Sequence, residues 1–299
     1  MAAQMDTESE GDNDPLTDND EISPRVTKSL YYDIPDFNDL SKNINLDNHI
    51  SILNINARSL LKHINELSAI LEEFIVQFDV ITVEETWLND LLKPLVNLNG
   101  YTFITKHKRE RKEGGGIGIY VKHGIDYVER KDLDSLNNSE ELFTYKFIEI
   151  KQDAPLKNSL IGVLYRPPGQ NTILDLANHL DILLSKLNEE NKNITLTGDT
   201  NVNLLKCTEH QPSSYYFDIL LSHGLIPMIT VPTRVTHSSA TLIDHIFVNE
   251  AQAGISQAGT IRTSMTDHYF NFIFLGNSKK WKYPKSVSYR LLPKPTLKI

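Results

Sequence analysis

The stretch ITLTGDTNVNLL, residues 194–205, runs from an apolar segment suited to a β-strand into a glycine and a pair of polar side chains. Asp199 and Asn201 are two positions apart. Strand side chains alternate between faces, so both groups are expected to point the same way from the end of a sheet. A surface turn uses the same residue types, because turns favour Gly, Asn and Asp. Whether Asp199 and Asn201 form an ordinary turn or bind a substrate depends on which residues lie at the other strand ends.

Hydrophobic periodicity elsewhere in the chain predicts further strands and helices. The other strand-like segments are 50–57, 79–85, 101–108, 116–123, 141–151, 158–168, 240–249 and 269–276. Amphipathic helices are predicted at 60–78, 173–190 and 215–225. Strands with helices between them, and several consecutive strands in the middle, predict an α/β fold of mixed sheets covered by helices.

The best division of the chain is one globular domain, residues 49–276, between two tails. Residues 1–24 contain eight acids and no Lys or Arg, so 1–48 is predicted to be an acidic, mostly disordered tail and a linker with a short helix. Residues 277–299 are predicted to form a basic, extended C-terminal tail. The net charge of −9 therefore leaves only −1 for the rest of the chain, and any nucleic-acid binding depends on local patches.

The single cysteine, Cys207, excludes an internal disulfide and a multi-cysteine zinc site, and it fits a reducing compartment. No run approaches the ~20 apolar residues of a membrane helix, and the acidic N-terminus is unlike a secretory signal. We therefore expect an intracellular protein without a signal peptide, a transmembrane segment or a membrane partner.

Polar side chains recur at the ends of several predicted strands. Each is an ordinary turn residue on its own, but an unpaired polar group inside a strand is costly and needs a partner. The set comprises Asn54, Asn56, Glu84, Glu85, Tyr165, Arg166, Asp199, Asn201, Asp244, Asp267 and His268. Carboxylates, amides, a phenol and a histidine suit Mg²⁺-assisted attack on a phosphodiester, because Mg²⁺ prefers oxygen ligands. The chain lacks the Gly-rich Lys-Ser/Thr loop of nucleotide triphosphatases and the His-Glu-x-x-His zinc helix.

Seven of these segments also carry a family resemblance. The chain matches the motif order and spacing of the endonuclease/exonuclease/phosphatase superfamily in LNINARSL, DVITVEETWL, GGGIGIYV, LYRPPG, GDTN, TLIDHIFVN and TDHYF. Over residues 49–275 it most resembles the apurinic-like endonuclease domain of LINE-like (non-LTR) retrotransposons. The resemblance implies a four-layer α/β sandwich, with two mixed β-sheets packed together and flanked by helices, and a site where the strand ends meet.

Carried onto this sequence, the resemblance implies a metal site. Glu85 would be the principal Mg²⁺ ligand, Asn54 would lie in the metal and phosphate shell, and Asp267 would lie near the metal. Mg²⁺ is the expected cofactor, with Mn²⁺ as a substitute.

The resemblance also implies roles at the phosphate. Tyr165 would contact the scissile phosphate, Asp199 would prepare the attacking water, and Asn201 would hold a phosphate oxygen. His268 would stabilise the phosphate, oriented by Asp244.

Strand alternation leaves alternatives at several positions. Glu84 and Glu85 would face opposite ways if 79–85 is one strand, so only one would enter the site, and the resemblance favours Glu85. Asn56 and His245 are interpreted as structural. Trp87 is interpreted as core packing rather than as a base-stacking platform.

Thr200 lies between the two polar residues of the opening stretch, where the resembling family usually has Phe. A smaller side chain with a hydroxyl would lose apolar contact and require a hydrogen bond. The sequence therefore predicts that Thr200→Phe stabilises the fold or raises activity.

A basic run at 106–112 precedes three glycines at a predicted hairpin. Such a run is commonly a solvated turn, and the alternative is phosphate contact that weakens as salt rises. The candidate DNA-binding residues are Lys108, Arg109, Arg111, Arg166 and Arg234.

The expected function is that of a Mg²⁺-dependent DNA endonuclease that nicks one strand and leaves a 3′-hydroxyl, which in the resembling elements primes reverse transcription. Its partners would be DNA and the element RNA or a reverse transcriptase encoded elsewhere, acting in the nucleus. Two alternatives stay open: another phosphodiesterase or phosphatase of the same superfold, and a catalytically silent DNA- or protein-binding remnant.

Overall fold

The computed structural model describes residues 29–106, 114–134, 136, 142–169 and 172–276. These lie in one compact unit, Val26–Lys282. The strands are β1 Leu30–Tyr32, β2 His49–Asn56, β3 Val80–Glu84, β4 Tyr101–Lys106, β5 Ile117–Lys122, β6 Tyr127–Glu129, β7 Thr144–Ile150, β8 Ser159–Tyr165, β9 Asn193–Asp199, β10 Leu225–Pro227, β11 Arg234–Val235, β12 Ala240–Thr241, β13 Asp244–Asn249, β14 Gln257–Ile261 and β15 Phe270–Gly276. The helices are α1 Ile34–Ser41, α2 Leu60–Glu73, α3 Lys131–Asp134, α4 Ile173–Glu189, α5 Gln211–Ser222 and α6 Glu250–Ala253.

Two large sheets form the centre of the domain. The first has the strand order β1-β14-β15-β2-β3-β5-β4, and the second has the order β10-β13-β9-β8-β7-β6. The pairs β1–β14 and β2–β3 are parallel in the first sheet, and β8–β9 is parallel in the second. Because the neighbouring pairs β15–β2 and β13–β9 are antiparallel, both sheets are mixed.

The two sheets pack face to face and carry helices on their outer faces. Side chains from both sheets form the central apolar layer, among them Ile52 and Ile119 from the first and Val163 from the second. Helices α1 and α2 pack on the first sheet, and α4 and α5 pack on the second. The predicted four-layer α/β sandwich is thus confirmed. No helix among the described residues combines the length and apolarity needed to cross a bilayer.

Residues 30–48, which the sequence assigns to a linker with a short helix, contribute to this sandwich. β1 extends the first sheet by pairing with β14. α1 begins at an Asp33 side chain that accepts a hydrogen bond from the Asp36 backbone N–H (2.9 Å), a normal N-cap. The helix buries Phe37 completely against Phe74 and Phe272. The predicted tails at 1–28 and 277–299 lie outside the described residues.

Strand ends from both sheets meet at one end of the sandwich. In the first sheet Asn56 is opposite Glu84, and in the second Asp199 is opposite Asp244. Gly198 precedes Asp199 with a φ of 137°, and a Cβ there would lie 1.9 Å from the Leu164 carbonyl oxygen. Only glycine fits this close approach, which fixes the path of the chain into Asp199.

Candidate active site

Three side chains at this end form a buried cluster of acids and a histidine. Asp199, Asp244 and His268 are each at most 4% exposed, and their potential ligand atoms lie within 4.8 Å of one another. Asp199 and Asp244 end or begin neighbouring strands, and His268 lies just before β15 of the other sheet. The site is therefore built across the two sheets.

Asp244 holds His268 in one orientation. His268 Nδ1 lies 2.9 and 3.0 Å from the two Asp244 carboxylate oxygens. The Thr233 hydroxyl donates to Asp244 Oδ2 (2.6 Å) and accepts from the Asp244 backbone N–H (3.0 Å). Burial opposes the charged imidazole, yet the Asp244 carboxylate outweighs it and raises the pKa of His268 to about 9. His268 is consequently cationic at neutral pH.

Asp199 is fixed by two donors. Its Oδ2 accepts from Asn56 Nδ2 (2.8 Å), and its Oδ1 accepts from the Asn201 backbone N–H (2.9 Å). Burial and the nearby Asp244 carboxylate raise the pKa of Asp199 to about 8, although His268 acts in the opposite direction. Asp199 is thus a rigidly held carboxyl that can exchange a proton near neutral pH.

The buried Arg166 side chain bonds the backbone of the turn at Asp199–Asn201. It is 2% exposed, and its guanidinium donates to the backbone oxygens of Thr200 (2.7 Å) and Asn201 (2.8 Å). In return, the Asn201 amide donates to the Arg166 carbonyl (2.9 Å). Such burial does not fit the predicted DNA contact by Arg166, and we correct its role to shaping the Asp199–Asn201 turn.

Glu84 and Glu85 both reach the site. Glu84 ends β3, is fully buried, and accepts from Asn54 Nδ2 (2.6 Å). Burial and the neighbouring acids Asp244 and Asp199 raise the pKa of Glu84. Glu85 follows the strand in a left-handed conformation (φ 51°) and accepts from Asn56 Nδ2 (3.0 Å). Strict alternation of side chains along a strand would place only one of the two glutamates in the site. It does not apply here, because β3 ends at Glu84 and Glu85 lies beyond it.

Asn56, interpreted from the sequence as structural, contacts two of the candidate site residues. Its amide nitrogen bridges two carboxylates, Glu85 from the first sheet and Asp199 from the second. The available signal was its position two residues after Asn54, on the same strand face. Asn56 is thus a hydrogen-bonding residue, as expected, and the groups it holds are the candidate metal ligand Glu85 and the candidate catalytic acid Asp199.

Tyr165 ends β8 and is 5% exposed. Burial, together with the carboxylates of Glu85 and Asp199, raises the pKa of this phenol far above neutrality. Tyr165 therefore stays a neutral hydroxyl that can donate a hydrogen bond beside the acids.

Asp267 forms ion pairs with both Arg234 and Arg58. Asp267 Oδ2 accepts from Arg234 Nε (2.7 Å), and Oδ1 accepts from Arg58 Nη1 (2.5 Å). Burial acts against ionisation, but the two arginines lower the pKa of Asp267 to about 2. Since each oxygen already accepts from a guanidinium, this arrangement argues against Asp267 as a metal ligand.

One further expectation needs correction, and another is met in part. Trp87 is 46% exposed and is not core packing. Thr200 is buried, and its hydroxyl lies 3.2 Å from Nδ1 of His245, which packs against Tyr216. The hydrogen-bond partner that a buried Thr200 was expected to require is therefore present. Lys108, Arg109 and Arg111 lie outside the described residues.

With two packed mixed sheets, flanking helices and an acidic cluster at the strand ends, the chain is a four-layer α/β sandwich. The chain belongs to the endonuclease/exonuclease/phosphatase family, whose model matches residues 40–268. Members of this family are hydrolases. Among curated protein sequences, none matches this chain.

Solved structures share the fold. The AP endonuclease LMAP from Leishmania major is similar at 14% identity, with 79% of this chain and 90% of that chain covered and a TM-score of 0.65. The endonuclease domain of TRAS1, a telomere-specific non-LTR retrotransposon, is similar at 14% identity, with 77% and 100% covered and a TM-score of 0.58. A mannosyl-6-phosphatase from Bacteroides thetaiotaomicron is similar at 16% identity, with 75% and 98% covered and a TM-score of 0.52. At such identities these likenesses show the fold alone.

Proposed function

We propose that the chain is a divalent-metal-dependent endonuclease that hydrolyses DNA phosphodiester bonds, nicking one strand to leave a 3′-hydroxyl. The observation that carries this proposal is the buried cluster of Asp199, Asp244 and His268, with two further glutamates beside it. Such a cluster combines a proton acceptor, a cation and an excess of carboxylates at the same strand ends.

The donor set fits a hard divalent cation. Asn54 Oδ1 and Glu84 Oε2 are buried oxygens without a hydrogen-bond partner among the described residues. Glu85, which is partly exposed, and Asn54 would hold the ion, and the orphaned oxygens offer the ligand chemistry that Mg²⁺ and Mn²⁺ take. When bound, the ion would supply Lewis-acid polarisation of a phosphoryl oxygen.

Asp199 would take the proton of the attacking water. Its carboxylate is held by Asn56 and by the Asn201 backbone, so it cannot rotate away from the reacting atoms. A pKa near the working pH suits a general base, because the group is then available to accept and later release a proton.

The phosphate would be bound by donors that add no negative charge. Cationic His268, locked by Asp244, would stabilise the charge that develops on the phosphate. Tyr165 and Asn201 would donate to its oxygens as neutral groups. Truncating one donor of this kind commonly costs about 10²-fold in rate.

The retrotransposon role is supported by the motif pattern and by the likeness to the TRAS1 endonuclease domain. In that role the 3′-hydroxyl primes reverse transcription, and the partners are the element RNA and a reverse transcriptase encoded elsewhere. Arg234, with its side chain 36% exposed, and the residues Lys108, Arg109 and Arg111 are the proposed DNA backbone contacts.

The test is conversion of supercoiled plasmid to nicked circles in Mg²⁺, followed by extension of the nick with a DNA polymerase that requires a 3′-hydroxyl. We expect nicking by the wild type and by Asp175→Asn, an exposed control. Asp199→Ala and His268→Ala should lose nicking. Activity that survives in both variants overturns the residue assignments, and absent nicking with retained DNA binding supports a silent binding module.

A second candidate is a phosphomonoesterase, because a mannosyl-6-phosphatase has the same fold and fold alone does not determine the substrate. A panel of plasmid, RNA, a sugar phosphate and an inositol phosphate separates the two. Release of inorganic phosphate from a sugar phosphate without plasmid nicking would select this candidate.

A further inference from the structure

Two adjacent turns beside the active site have an unusual backbone. Arg58 and Ser59 follow β2 with φ of 40° and 87°, and Trp87 follows β3 with a φ of 51°. The turns are tied together, because the Ser59 N–H donates to the Glu85 carbonyl (2.9 Å) and the Leu60 N–H donates to the Thr86 carbonyl (3.1 Å). Left-handed conformations at non-glycine residues are uncommon and cluster at functional sites.

This backbone presents the Trp87 side chain to solvent. Trp87 is 46% exposed. The backbone N–H of the same residue donates to the Gly115 carbonyl (2.9 Å). A Cβ at Gly114 would lie 3.5 Å from Trp87 Nε1, so the ring lies beside this glycine. A large aromatic side chain is thus placed next to the turn with part of its surface exposed.

Trp87 lines an open cleft of about 450 Å³, a volume in the range of ligand sites. The other lining residues are Arg58, Lys62, His63, Met265, Thr266 and Asp267. Arg58 is 45% exposed at its side chain, and Lys62 is exposed as well. The cleft therefore combines an aromatic face with cations, which suits an anionic ligand carrying a flat ring.

The cleft adjoins the proposed active site. Arg58 bonds Asp267, which directly precedes His268, and its backbone N–H donates to Oδ1 of Asn56 (3.1 Å), whose amide contacts Glu85 and Asp199. A guanidinium carries five donors, so Arg58 can bond Asp267 and a phosphate together. A nucleotide next to the scissile phosphate would reach this cleft first.

We propose that the cleft binds an unpaired nucleotide that flanks the scissile phosphate, with its base stacked on Trp87 and its phosphate held by Arg58 and Lys62. This inference rests on the proposed endonuclease function and names the preferred substrate: DNA with a single-stranded or locally unpaired nucleotide at the nick site. Stacking on an aromatic side chain is sequence-tolerant, so the cleft would select for an unpaired base rather than for a particular base.

The direct test is quenching of Trp87 fluorescence. The chain has two tryptophans, so Trp281→Phe leaves Trp87 as the only one. We expect quenching when this variant is titrated with a short single-stranded oligonucleotide in EDTA. Quenching should be at least several-fold weaker with a strand of the same length made of abasic sugar-phosphate units. Equal quenching by the abasic strand, or no quenching while anisotropy reports binding, overturns the proposal.

Kinetics provide the second measurement. Trp87→Ala should raise KM for a substrate with an unpaired nucleotide about tenfold and leave kcat within about twofold, and Trp87→Phe should restore most of the affinity. Leu91→Ala, at an 86% exposed position nearby in sequence, is the matched control and should change neither constant. An unchanged KM in Trp87→Ala contradicts the proposal.

The outcomes separate this inference from the proposed function. Quenching by single strands without any nicking would support the proposed nucleotide-binding cleft and contradict the proposed endonuclease function. Nicking without quenching, together with wild-type kinetics in Trp87→Ala, would support the endonuclease function and contradict the nucleotide-binding cleft. If Trp281→Phe does not fold, the same signal is the difference in quenching between the wild type and Trp87→Phe.

Discussion

The second sheet carries a buried acid near each end, and the two have opposite surroundings. Asp199, at the active-site end, has its pKa raised to about 8 by burial and by Asp244. Glu149, at the other end on β7, is 4% exposed. It accepts from Lys151 Nζ (2.6 Å) and Lys192 Nζ (2.7 Å), and Arg130 Nη1 lies 3.4 Å away. Burial opposes its ionisation too, but these donors lower the pKa of Glu149 to about 2.

The difference shows where the chain leaves charge unbalanced. Glu149 is matched by three cations and serves the fold. At the candidate active-site end, Asp267 accepts from two arginines, whereas Asp199 accepts from an amide and a backbone N–H and has Asp244 and Glu84 as acidic neighbours. Acids buried close together destabilise a fold and are typical of functional sites, which supports the proposed role of this cluster in metal-dependent hydrolysis.

The largest predicted effect separates the two acids by activity. Asp199→Asn should lower the nicking rate by about 10³-fold, because Asn cannot accept the proton of the attacking water. Glu149→Gln should keep the wild-type rate when assayed well below its unfolding temperature. Initial rates of plasmid nicking in Mg²⁺ check both. A large loss in Glu149→Gln with no loss in Asp199→Asn would reverse the assignment.

A second prediction concerns Thr200, whose substitution by Phe was expected from sequence to stabilise the fold. Because Thr200 is buried against His245, which packs on Tyr216, we expect Thr200→Phe instead to overpack the turn and destabilise the fold by about 2 kcal/mol. Urea unfolding measures the change, with Thr200→Ser as the control that keeps the hydroxyl. A gain in stability would show that the turn can open.

The third prediction is that neutralising the two acids changes stability in opposite directions. Glu149→Gln should lower the free energy of unfolding by about 2 kcal/mol, because Lys151, Lys192 and Arg130 lose the buried carboxylate that they share. Asp199→Asn should raise it by about 1 kcal/mol in EDTA at pH 8, because a buried negative charge is removed while one acceptor remains. Thermal unfolding in EDTA checks the pair. Two changes of the same sign would remove the contrast.

The pH dependence sharpens this contrast. The folded-state pKa of Asp199, about 8, lies above its usual value, so the metal-free fold should lose stability as pH rises from about 4 to 8. The pKa of Glu149, about 2, lies below its usual value, so its contribution is present above about pH 4.5 and is lost as pH falls toward 2. Unfolding free energies of both variants across pH 3–8 test this. Asp199→Asn should reduce the loss of unfolding free energy between about pH 4 and 8. Glu149→Gln should reduce the loss of unfolding free energy as pH falls below about 4.5.

The sequence predicted much of the site because sheet geometry determines it. Asp199, Asn201, Asp244 and His268 follow from polar residues at strand ends, and the structure brings Asp244 and His268 into contact. The failures came from tertiary contacts that periodicity does not encode. Arg166 finds backbone carbonyls of another loop, and Trp87 is turned outward by a left-handed backbone.

The most direct test of the central claim is the Mg²⁺ dependence of nicking by the wild type, Glu85→Gln and Glu149→Gln. The unbalanced carboxylates should make nicking depend on the ion, with the same half-saturating Mg²⁺ concentration for the wild type and Glu149→Gln. Glu85→Gln should need at least about tenfold more Mg²⁺, as expected when a metal site loses affinity. Nicking that persists in EDTA, or an identical Mg²⁺ dependence in Glu85→Gln, would contradict the account.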